Sequence, residues 1–259
     1  MDKVTIGGVA TPHATLYCGD CFDILPALDV CADAVITDPP YSIRNTRGHG
    51  LYLQKRMESV LGQLQDDGLT QSIEKKYLEM IAQVQDIPNL YIFCNAKQIP
   101  MYLDYFHKEQ GCKFDILIWH KVNAFPSHSN KYLADKEYIL FFRKGGYCNP
   151  RTYEDGATVF TSGINVKDKK RWHHPTIKPL ALIEKIVRNS TTEKQLVIDP
   201  FMGSGTTGVA AIRLGRVFVG IEQKEQAYAE CKNQFPEVRE MTDRPVGEGW
   251  NTETKELFC

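Results

Sequence analysis

The first residues that could do chemistry are Asp38, Pro39, Pro40 and Tyr41, which follow the apolar run 34–36. Consecutive prolines donate no backbone hydrogen bond and keep the chain extended. The run is typical of a buried strand, and open α/β sheets bind ligands just beyond the carboxyl ends of their strands. The Asp carboxylate and a prolyl carbonyl can both accept hydrogen bonds from the exocyclic amino group of a planar base. The Tyr ring can stack on the face of that base. The segment therefore predicts a pocket for a planar amino base, with an ordinary strand-ending turn as the alternative.

A second candidate site begins where the apolar run 196–198 leads into Asp199, Pro200 and Phe201. Its glycine-rich turn consists of Gly203, Ser204, Gly205, Thr206 and Thr207. Glycines let a backbone approach a ligand closely, and the helix expected to follow favours an anion at its N-terminus. A Walker loop is excluded because no Gly-Lys-Ser/Thr follows. Glu222 ends the next apolar run and is placed to accept hydrogen bonds from ribose hydroxyls.

Together, Asp38-Pro39-Pro40-Tyr41 and the run from Asp199 to Thr206 resemble the DNA amino-methyltransferases that use S-adenosylmethionine (SAM). These enzymes methylate N6 of adenine or N4 of cytosine. The catalytic motif precedes the cofactor motif, which resembles the β class, and the resemblance spans roughly residues 15–235. It implies a circularly permuted Rossmann-like α/β fold, in which a mixed seven-stranded sheet with one reversed strand has helices on both faces.

The resemblance also assigns roles to single residues. Asp20 is expected beside the SAM adenine, and it also suits a helix N-cap. Thr176 and Lys178, in the segment 174–179, are expected near the methionine end of the cofactor. Lys121 and Asn123, in the segment 119–123, resemble a motif near the base pocket. The expected cofactor-binding residues are Asp20, Asp38, Thr176, Lys178, Asp199, Pro200, Phe201, Gly203, Ser204, Gly205, Thr206, Thr207 and Glu222.

The elements that must position these residues follow from hydrophobic patterning. Strands are predicted over 14–18, 34–36, 90–94, 114–119, 137–144, 195–201 and 217–221, and helices over 21–25, 77–84, 99–107, 180–189, 209–214 and 224–234. The strands 114–119 and 137–144 are expected to be antiparallel, because no long crossover helix separates them. The strand near Tyr17 is expected beside the one that ends at Glu222.

Basic residues are concentrated in the middle of the chain. Residues 121–178 hold eleven Lys or Arg against five Asp or Glu, whereas residues 222–259 hold five against nine. This asymmetry favours a one-sided nucleic-acid surface. A single catalytic domain over 1–235 is expected, with DNA-contacting insertions at about 42–76 and 122–172 and a tail at 236–259. The predicted DNA-binding residues are Arg44, Arg47, Lys121, Asn123, Lys167, Lys169, Lys170 and Arg171, and a solvated loop is the alternative for the 42–76 segment.

Composition excludes several classes of protein. At 259 residues with 42% hydrophobic and 24% charged residues, the chain suits one sizeable α/β domain. No apolar signal core or membrane-length run occurs, so a cytoplasmic location in a bacterium or a phage-infected cell is expected. Eight scattered cysteines include one Cys-x-x-Cys, at Cys18 and Cys21, without a second pair at zinc spacing. Reduced thiols and no metal are therefore expected.

The sequence thus predicts a SAM-dependent methyltransferase acting on N6 of a flipped-out adenine in duplex DNA. Asp38 at the first motif position favours adenine, since Ser is more usual there in the N4-cytosine enzymes. An N4-cytosine enzyme is the first alternative, and an RNA or protein amide methyltransferase or a non-catalytic DNA-binding protein is less favoured. Besides DNA, the resemblance allows a homodimer and a cognate restriction endonuclease as partners.

Overall fold

A single mixed sheet organises the chain. The computed structural model describes residues 2–6, 13–39, 70–124, 132–163, 177–232 and 235, with the backbone alone for residues 6 and 70–74. In these ranges the strands are β1 (Asp2–Ile6), β2 (Ala14–Cys18), β3 (Ala34–Thr37), β4 (Asn89–Cys94), β5 (Lys113–Lys121), β6 (Lys136–Arg143), β7 (Val159–Ser162), β8 (Leu196–Asp199) and β9 (Val217–Glu222). Their spatial order is β1-β2-β9-β8-β3-β4-β6-β5-β7.

The strands β2, β9, β8, β3 and β4 run parallel in the middle of the sheet. Their residues are almost all buried, as expected for parallel strands covered on both faces. β6 is antiparallel to both β4 and β5, and β7 is parallel to β5. The predicted antiparallel pair and the predicted contact of β2 with β9 are both confirmed. Because β9 comes late in the chain and β2 early, this contact completes the permuted fold.

The strand count corrects the prediction of a seven-stranded sheet with one reversed strand. All seven predicted strands form, with β6 reversed among them, but two further strands extend the sheet at its edges. β1 pairs antiparallel with β2 and is a second reversed strand, and β7 lies at the opposite edge. Both are short and half-exposed, so neither has the apolar run of a central strand. β6 also lies inside the range 122–172 predicted as an insertion, yet it is an internal strand of the sheet.

Helices cover both faces of the sheet. They are α1 (Cys21–Ile24), α2 (Thr70–Gln83), α3 (Ile99–Tyr102), α4 (Tyr153–Gly156), α5 (Leu180–Ser190), α6 (Thr206–Arg213) and α7 (Glu225–Lys232). A 3₁₀ turn, Leu25–Ala27, extends α1, and π-helical turns, Leu103–Glu109, extend α3. Six of the seven agree with the predicted helices, and the single turn α4 was not expected. None of the helices in the described ranges is long and apolar enough to cross a bilayer.

Two hydrophobic cores result, one on each face of the sheet. Alternate residues of the central strands face α1, α2 and α3 on one side and α5, α6 and α7 on the other. On α5, for example, Leu182, Ile183, Ile186 and Val187 form one apolar stripe that faces the sheet. The two layers of helices cover the central strands, and the candidate residues lie at the carboxyl ends of those parallel strands.

The unexpected turn α4 is held by polar contacts to α5. The Lys185 ammonium donates to the carbonyls of Glu154 at 2.7 Å and Ala157 at 2.6 Å, and these bonds cap the carboxyl end of the turn. Arg188 pairs with Asp155 at 2.6 Å. These contacts come from residues distant in the sequence. The hydrophobic pattern of residues 153–162 therefore did not predict α4 or the neighbouring β7.

Candidate active site

A cavity lies at the carboxyl ends of β2, β3, β8 and β9. It holds about 1000 Å³ of empty space, part of it open to solvent. The predicted residues that line it are Asp20, Asp38, Lys178, Asp199, Pro200, Phe201, Gly203, Ser204, Thr206, Thr207 and Glu222. Asp38 and the glycine-rich turn therefore meet at one site, because β3 and β8 are adjacent parallel strands.

Asp199 ties the glycine-rich turn to α6. Its carboxylate accepts from the Phe201 N–H at 3.1 Å and from the Thr207 hydroxyl at 2.8 Å. Burial raises the pKa of Asp199 to about 7, although these donors oppose the shift. The side chain therefore joins the end of β8 to the first turn of the helix.

The structure shows a reason for glycine at position 205 that the sequence did not show. Its φ of 81° lies in the left-handed region that favours glycine. A Cβ there would lie 2.3 Å from the Cys231 sulfur on α7. The structure shows Gly205 leaving space for α7. The expected close approach of a ligand to Gly205 stays a prediction.

Glu222 and Asp20 are both oriented by donors next to the cavity. The Glu222 carboxylate accepts from the N–H groups of Gly203 at 3.1 Å and Lys224 at 2.8 Å. Burial raises its pKa, and both of these donors lower it. Asp20 accepts from the Phe22 N–H at 3.0 Å, which confirms the predicted N-cap of α1, and from Gln223 at 3.2 Å. Each carboxylate keeps lone pairs for a further donor.

Asp38 is held by a lysine from another part of the chain. The Lys178 ammonium lies 2.7 Å from Asp38 Oδ2 and also contacts Glu137 Oε1 on β6. It lies 4.8 Å from the centre of the Phe93 ring. Burial disfavours the charge on Lys178, but the two carboxylates outweigh that penalty and raise its pKa. Lys178 was expected at the methionine end of the cofactor; the contacts described are with Asp38 and Glu137, and the cofactor contact stays a prediction.

Lys121 is also engaged with Glu137. Its ammonium lies 2.6 Å from Glu137 Oε2 and 4.6 Å from the centre of the Trp119 ring. Trp119 is buried and donates its indole N–H to Ser162 on β7 at 2.8 Å. Asn123 lies exposed just beyond the end of β5. A DNA contact by Lys121 would use the ammonium that already pairs with Glu137, and the assignment of both residues to DNA stays a prediction.

Several predicted residues lie outside the described ranges. They are Pro40, Tyr41, Arg44, Arg47, Lys167, Lys169, Lys170, Arg171 and Thr176, and the tail 236–259 lies outside as well. The Cys-x-x-Cys pair is described: Cys18 and Cys21 are both free, and burial raises the pKa of Cys21 to about 12. Within the described ranges, no group of three or more His, Cys, Asp or Glu residues could hold a metal ion.

Sequence reasoning missed several residues of the site. Phe22, Phe93, Ile221, Gln223 and Lys224 line the cavity. Glu137, the most consequential omission, stands directly opposite Trp119 in the β5–β6 register. The signal for Glu137 was an acidic residue at the start of a strongly apolar strand, since such a residue becomes buried and needs a counter-charge.

This permuted sheet, with a glycine-rich turn at the carboxyl ends of its strands, defines the class of SAM-dependent methyltransferases. The sequence model of the DNA methylase family (N6 and N4 methyltransferases) matches residues 32–233, and the chain belongs to this family. It is 29% identical to the type II methyltransferase M2.MboI of Moraxella bovis, over 86% of this chain and 88% of that relative. It is 30% identical to M2.DpnII of Streptococcus pneumoniae, over 75% and 78%.

Solved structures agree with this assignment. The crystal structure of the M1.HpyAVI–SAM complex is 28% identical with a TM-score of 0.62, over 85% of this chain and 99% of that chain. The PvuII DNA methyltransferase, which is cytosine-N4-specific, has a TM-score of 0.68 at 16% identity, over 92% and 89%, and supports the fold alone. The protein is therefore a SAM-dependent DNA amino-methyltransferase.

Proposed function

We propose that this chain transfers a methyl group from SAM to the N6 amino group of an adenine flipped out of duplex DNA. The observation that carries the proposal is the Asp38 carboxylate, which faces the cavity at the end of β3 and is paired with Lys178 at 2.7 Å. A carboxylate is a hydrogen-bond acceptor, which suits an exocyclic NH2. Asp rather than Ser at this motif position is the feature that favours adenine over cytosine.

The lining of the cavity suits SAM. Phe22, Phe201 and Ile221 offer apolar surface for an adenine ring, and the oriented carboxylates of Asp20 and Glu222 can accept from its amino group and from ribose hydroxyls. When bound, SAM supplies a sulfonium methyl group whose C–S bond breaks as the amine lone pair forms the new N–C bond; the bonding pair stays on sulfur, and the methylated amine releases one N–H proton to water. Ser204, Thr206 and Thr207 add hydroxyls near the start of α6.

The residues of this chain act on the amine. The lone pair of an exocyclic amine is delocalised into its ring, which makes the nitrogen a poor nucleophile. Hydrogen bonds from the NH2 to Asp38 and to the Pro39 carbonyl favour a tetrahedral nitrogen with a more available lone pair. Alignment of the nitrogen with the methyl carbon and sulfur supplies much of the acceleration. A base inside a duplex cannot reach this site, so the target must be flipped out, and the Tyr41 ring is proposed to stack on it.

The identity of the methylated nucleoside tests this proposal. Duplex DNA, RNA and a protein mixture are each incubated with the enzyme and labelled SAM, then hydrolysed and separated. N6-methyladenine from DNA is the expected product. N4-methylcytosine would reject the choice of base, label in RNA or protein would reject the choice of polymer, and no label would reject catalysis.

The DNA surface is proposed to include Lys167, Lys169, Lys170 and Arg171, because charge is most concentrated there. A Lys169→Ala, Lys170→Ala double variant should weaken binding equally on all sequences and leave SAM affinity intact. Each lost phosphate contact should flatten the slope of log affinity against log salt by roughly 0.9. If the variant loses affinity mainly for its preferred site, these residues read bases instead. If neither affinity nor slope changes, Arg44 and Arg47 become the better candidates for the DNA surface. The homodimer and the endonuclease partner stay predictions.

A further inference from the structure

A chain of four charged side chains leads from the cavity into the sheet. Asp38 Oδ2 contacts Lys178 at 2.7 Å, Lys178 contacts Glu137, and Glu137 Oε2 contacts Lys121 at 2.6 Å. The side chains of Lys178 and Glu137 are each 10% exposed. Lys178 lines the cavity, whereas Glu137 lies behind it, so Glu137 can reach the reacting groups only through Lys178.

We propose that Glu137 and Lys178 are positioning residues for methyl transfer: Lys178 orients the Asp38 carboxylate, and Glu137 holds the Lys178 ammonium against Asp38. This inference rests on the proposed function of Asp38 as the group that accepts from the target amine. Lys121 is the outer member of the cluster and neutralises the second carboxylate charge.

Stability alone is a weak explanation for this cluster. Burying charges carries a desolvation penalty that the attraction between them often only offsets, and apolar replacements of similar volume are frequently as stable. A buried ion cluster does impose one geometry, because each member must meet its counter-charge. Here that geometry includes the carboxylate placed at the end of β3.

The contacts of Lys178 explain how the orientation is fixed. A lysine has a long and flexible stem, and a single carboxylate would leave its ammonium free to move. Glu137 pulls the ammonium from the β6 side, Asp38 binds it from the β3 side, and the Phe93 ring lies 4.8 Å away. With Oδ2 bound to this ammonium, the Asp38 carboxylate has a defined plane relative to the cavity.

Glu137 also adjusts the charge that Asp38 presents. A carboxylate paired with an uncompensated cation is a weaker acceptor for a neutral amine. Because Glu137 binds the same ammonium, the positive charge of Lys178 is shared between two carboxylates and does not act on Asp38 alone, while Lys121 balances the second carboxylate. The Asp38 carboxylate therefore remains an effective acceptor for the NH2 of the target base.

The other titratable groups around the cluster differ from Lys178 in how and where they lose a proton. Burial raises the pKa of Cys94 on β4 to about 12 and that of Tyr77 on α2 well above its usual value. Asp38 adds to both shifts and Glu137 adds to that of Cys94, so arginine at position 178 is needed to separate Lys178 from Cys94 in the pH profile. Asp199 on β8 titrates near pH 7 and can shape only the lower part of a pH profile. Glu137 itself is buried, and Lys178 and Lys121 outweigh that penalty and lower its pKa. Lys178 is thus the member of the charged cluster whose deprotonation Glu137 controls.

The test is the pH profile of kcat for Glu137→Gln between about pH 6 and pH 10. Loss of one charged hydrogen-bond partner should lower kcat by about 10- to 100-fold while the Kd for SAM is unchanged. In the wild type no alkaline loss from Lys178 is expected, because its pKa is raised above its usual 10.5. In Glu137→Gln an alkaline limb should appear within the measured range, since one of the two carboxylates that hold the proton on Lys178 is gone.

Three further variants separate positioning from a merely structural role. In Lys178→Arg, Glu137→Gln the alkaline limb should disappear, because arginine does not lose its proton in this range. Glu137→Asp keeps the charge, so kcat should fall but, as in the wild type, no alkaline limb should appear in the measured range; this variant also serves if Glu137→Gln does not fold. Glu109→Gln neutralises an exposed partner of Lys75, 3.1 Å away, and should change nothing.

A wild-type profile and wild-type kcat in a folded Glu137→Gln would overturn the positioning proposal. An equal alkaline limb with arginine and with lysine at position 178 would also overturn it. Failure of the proposed function looks different, because the wild-type enzyme would then yield no N6-methyladenine at any pH. If the product is N4-methylcytosine, the profile still decides the roles of Glu137 and Lys178, since the target is again an exocyclic amine.

Discussion

The two sides of the cavity hold their carboxylates in different ways. On the glycine-turn side, Asp20, Asp199 and Glu222 each accept from the main-chain N–H two residues further along the chain. On the lysine side, Asp38 and Glu137 are held by the ammonium groups of Lys178 and Lys121, from distant segments. Fixed peptide dipoles orient the first set, and buried charged side chains brought together by the fold orient the second.

The difference has an electrostatic consequence. Burial dominates on the glycine-turn side and raises the pKa of both Asp199 and Glu222. On the lysine side the ammonium groups outweigh burial and lower the pKa of Glu137. The carboxyl groups of Asp199 and Glu222 therefore ionise less readily than usual, whereas that of Glu137 ionises more readily.

The largest expected effect is on the lysine side. Asp38→Ala should reduce methyl transfer by about 10³-fold or more, because the amine loses its charged acceptor in a water-poor site. The Kd for SAM, measured by calorimetry, should stay near the wild-type value. Asp38→Asn is the matched control for side-chain volume and should be similarly inactive. Near-normal turnover in either variant would show that the comparison assigns the wrong role to Asp38.

The next effect concerns packing behind the glycine-rich turn. Gly205→Ala should lower the free energy of unfolding by about 2–4 kcal/mol, from the left-handed φ and from contact with the Cys231 sulfur. Urea unfolding of Gly205→Ala, of Cys231→Ala and of the double variant measures the coupling. The double variant should lose less free energy of unfolding than the two single variants lose together. Strict additivity would show that the sulfur contact is unimportant.

A third effect depends on pH. In the folded protein the pKa of Asp199 is about 7 against an ordinary value of 3.8, so ionising this group destabilises the fold. The wild type should therefore lose about 2–3 kcal/mol relative to Asp199→Asn as the pH rises from 5 to 8, and little more above pH 8. Urea unfolding without SAM at both pH values checks this. A constant difference would mean that Asp199 is already ionised at pH 5.

The smallest effect is on cofactor affinity. Glu222→Ala should raise the Kd for SAM by about tenfold, because the ribose would lose a charged acceptor. The methylated nucleoside should stay the same, since Glu222 does not belong to the lysine side. Glu222→Gln retains one acceptor oxygen, so its Kd for SAM should lie between those of the wild type and Glu222→Ala. Unchanged SAM affinity in Glu222→Ala would remove the ribose assignment.

The same contrast explains what the sequence could predict. Seven strands and six helices follow from apolar runs and periodicity, and the glycine-turn side follows from residues that lie close together in the chain. The lysine side was only half predicted: Asp38 belongs to a recognisable motif, but its link to Glu137 is created by the position of β6 beside β4. The edge strands β1 and β7 were missed because they are short and half-exposed, with one partner strand each.

The permuted strand order also affects how the chain is made. Among the strands of the described ranges, β8 and β9 come latest in the chain, yet they lie between β2 and β3, in the middle of the sheet. Until residue 222 has left the ribosome, β2 and β3 each lack a neighbour on one side and expose an open edge. Such late, long-range pairing slows folding and leaves the unfinished chain open to aggregation. A nascent chain therefore carries the complete Asp38 motif long before it can bind SAM.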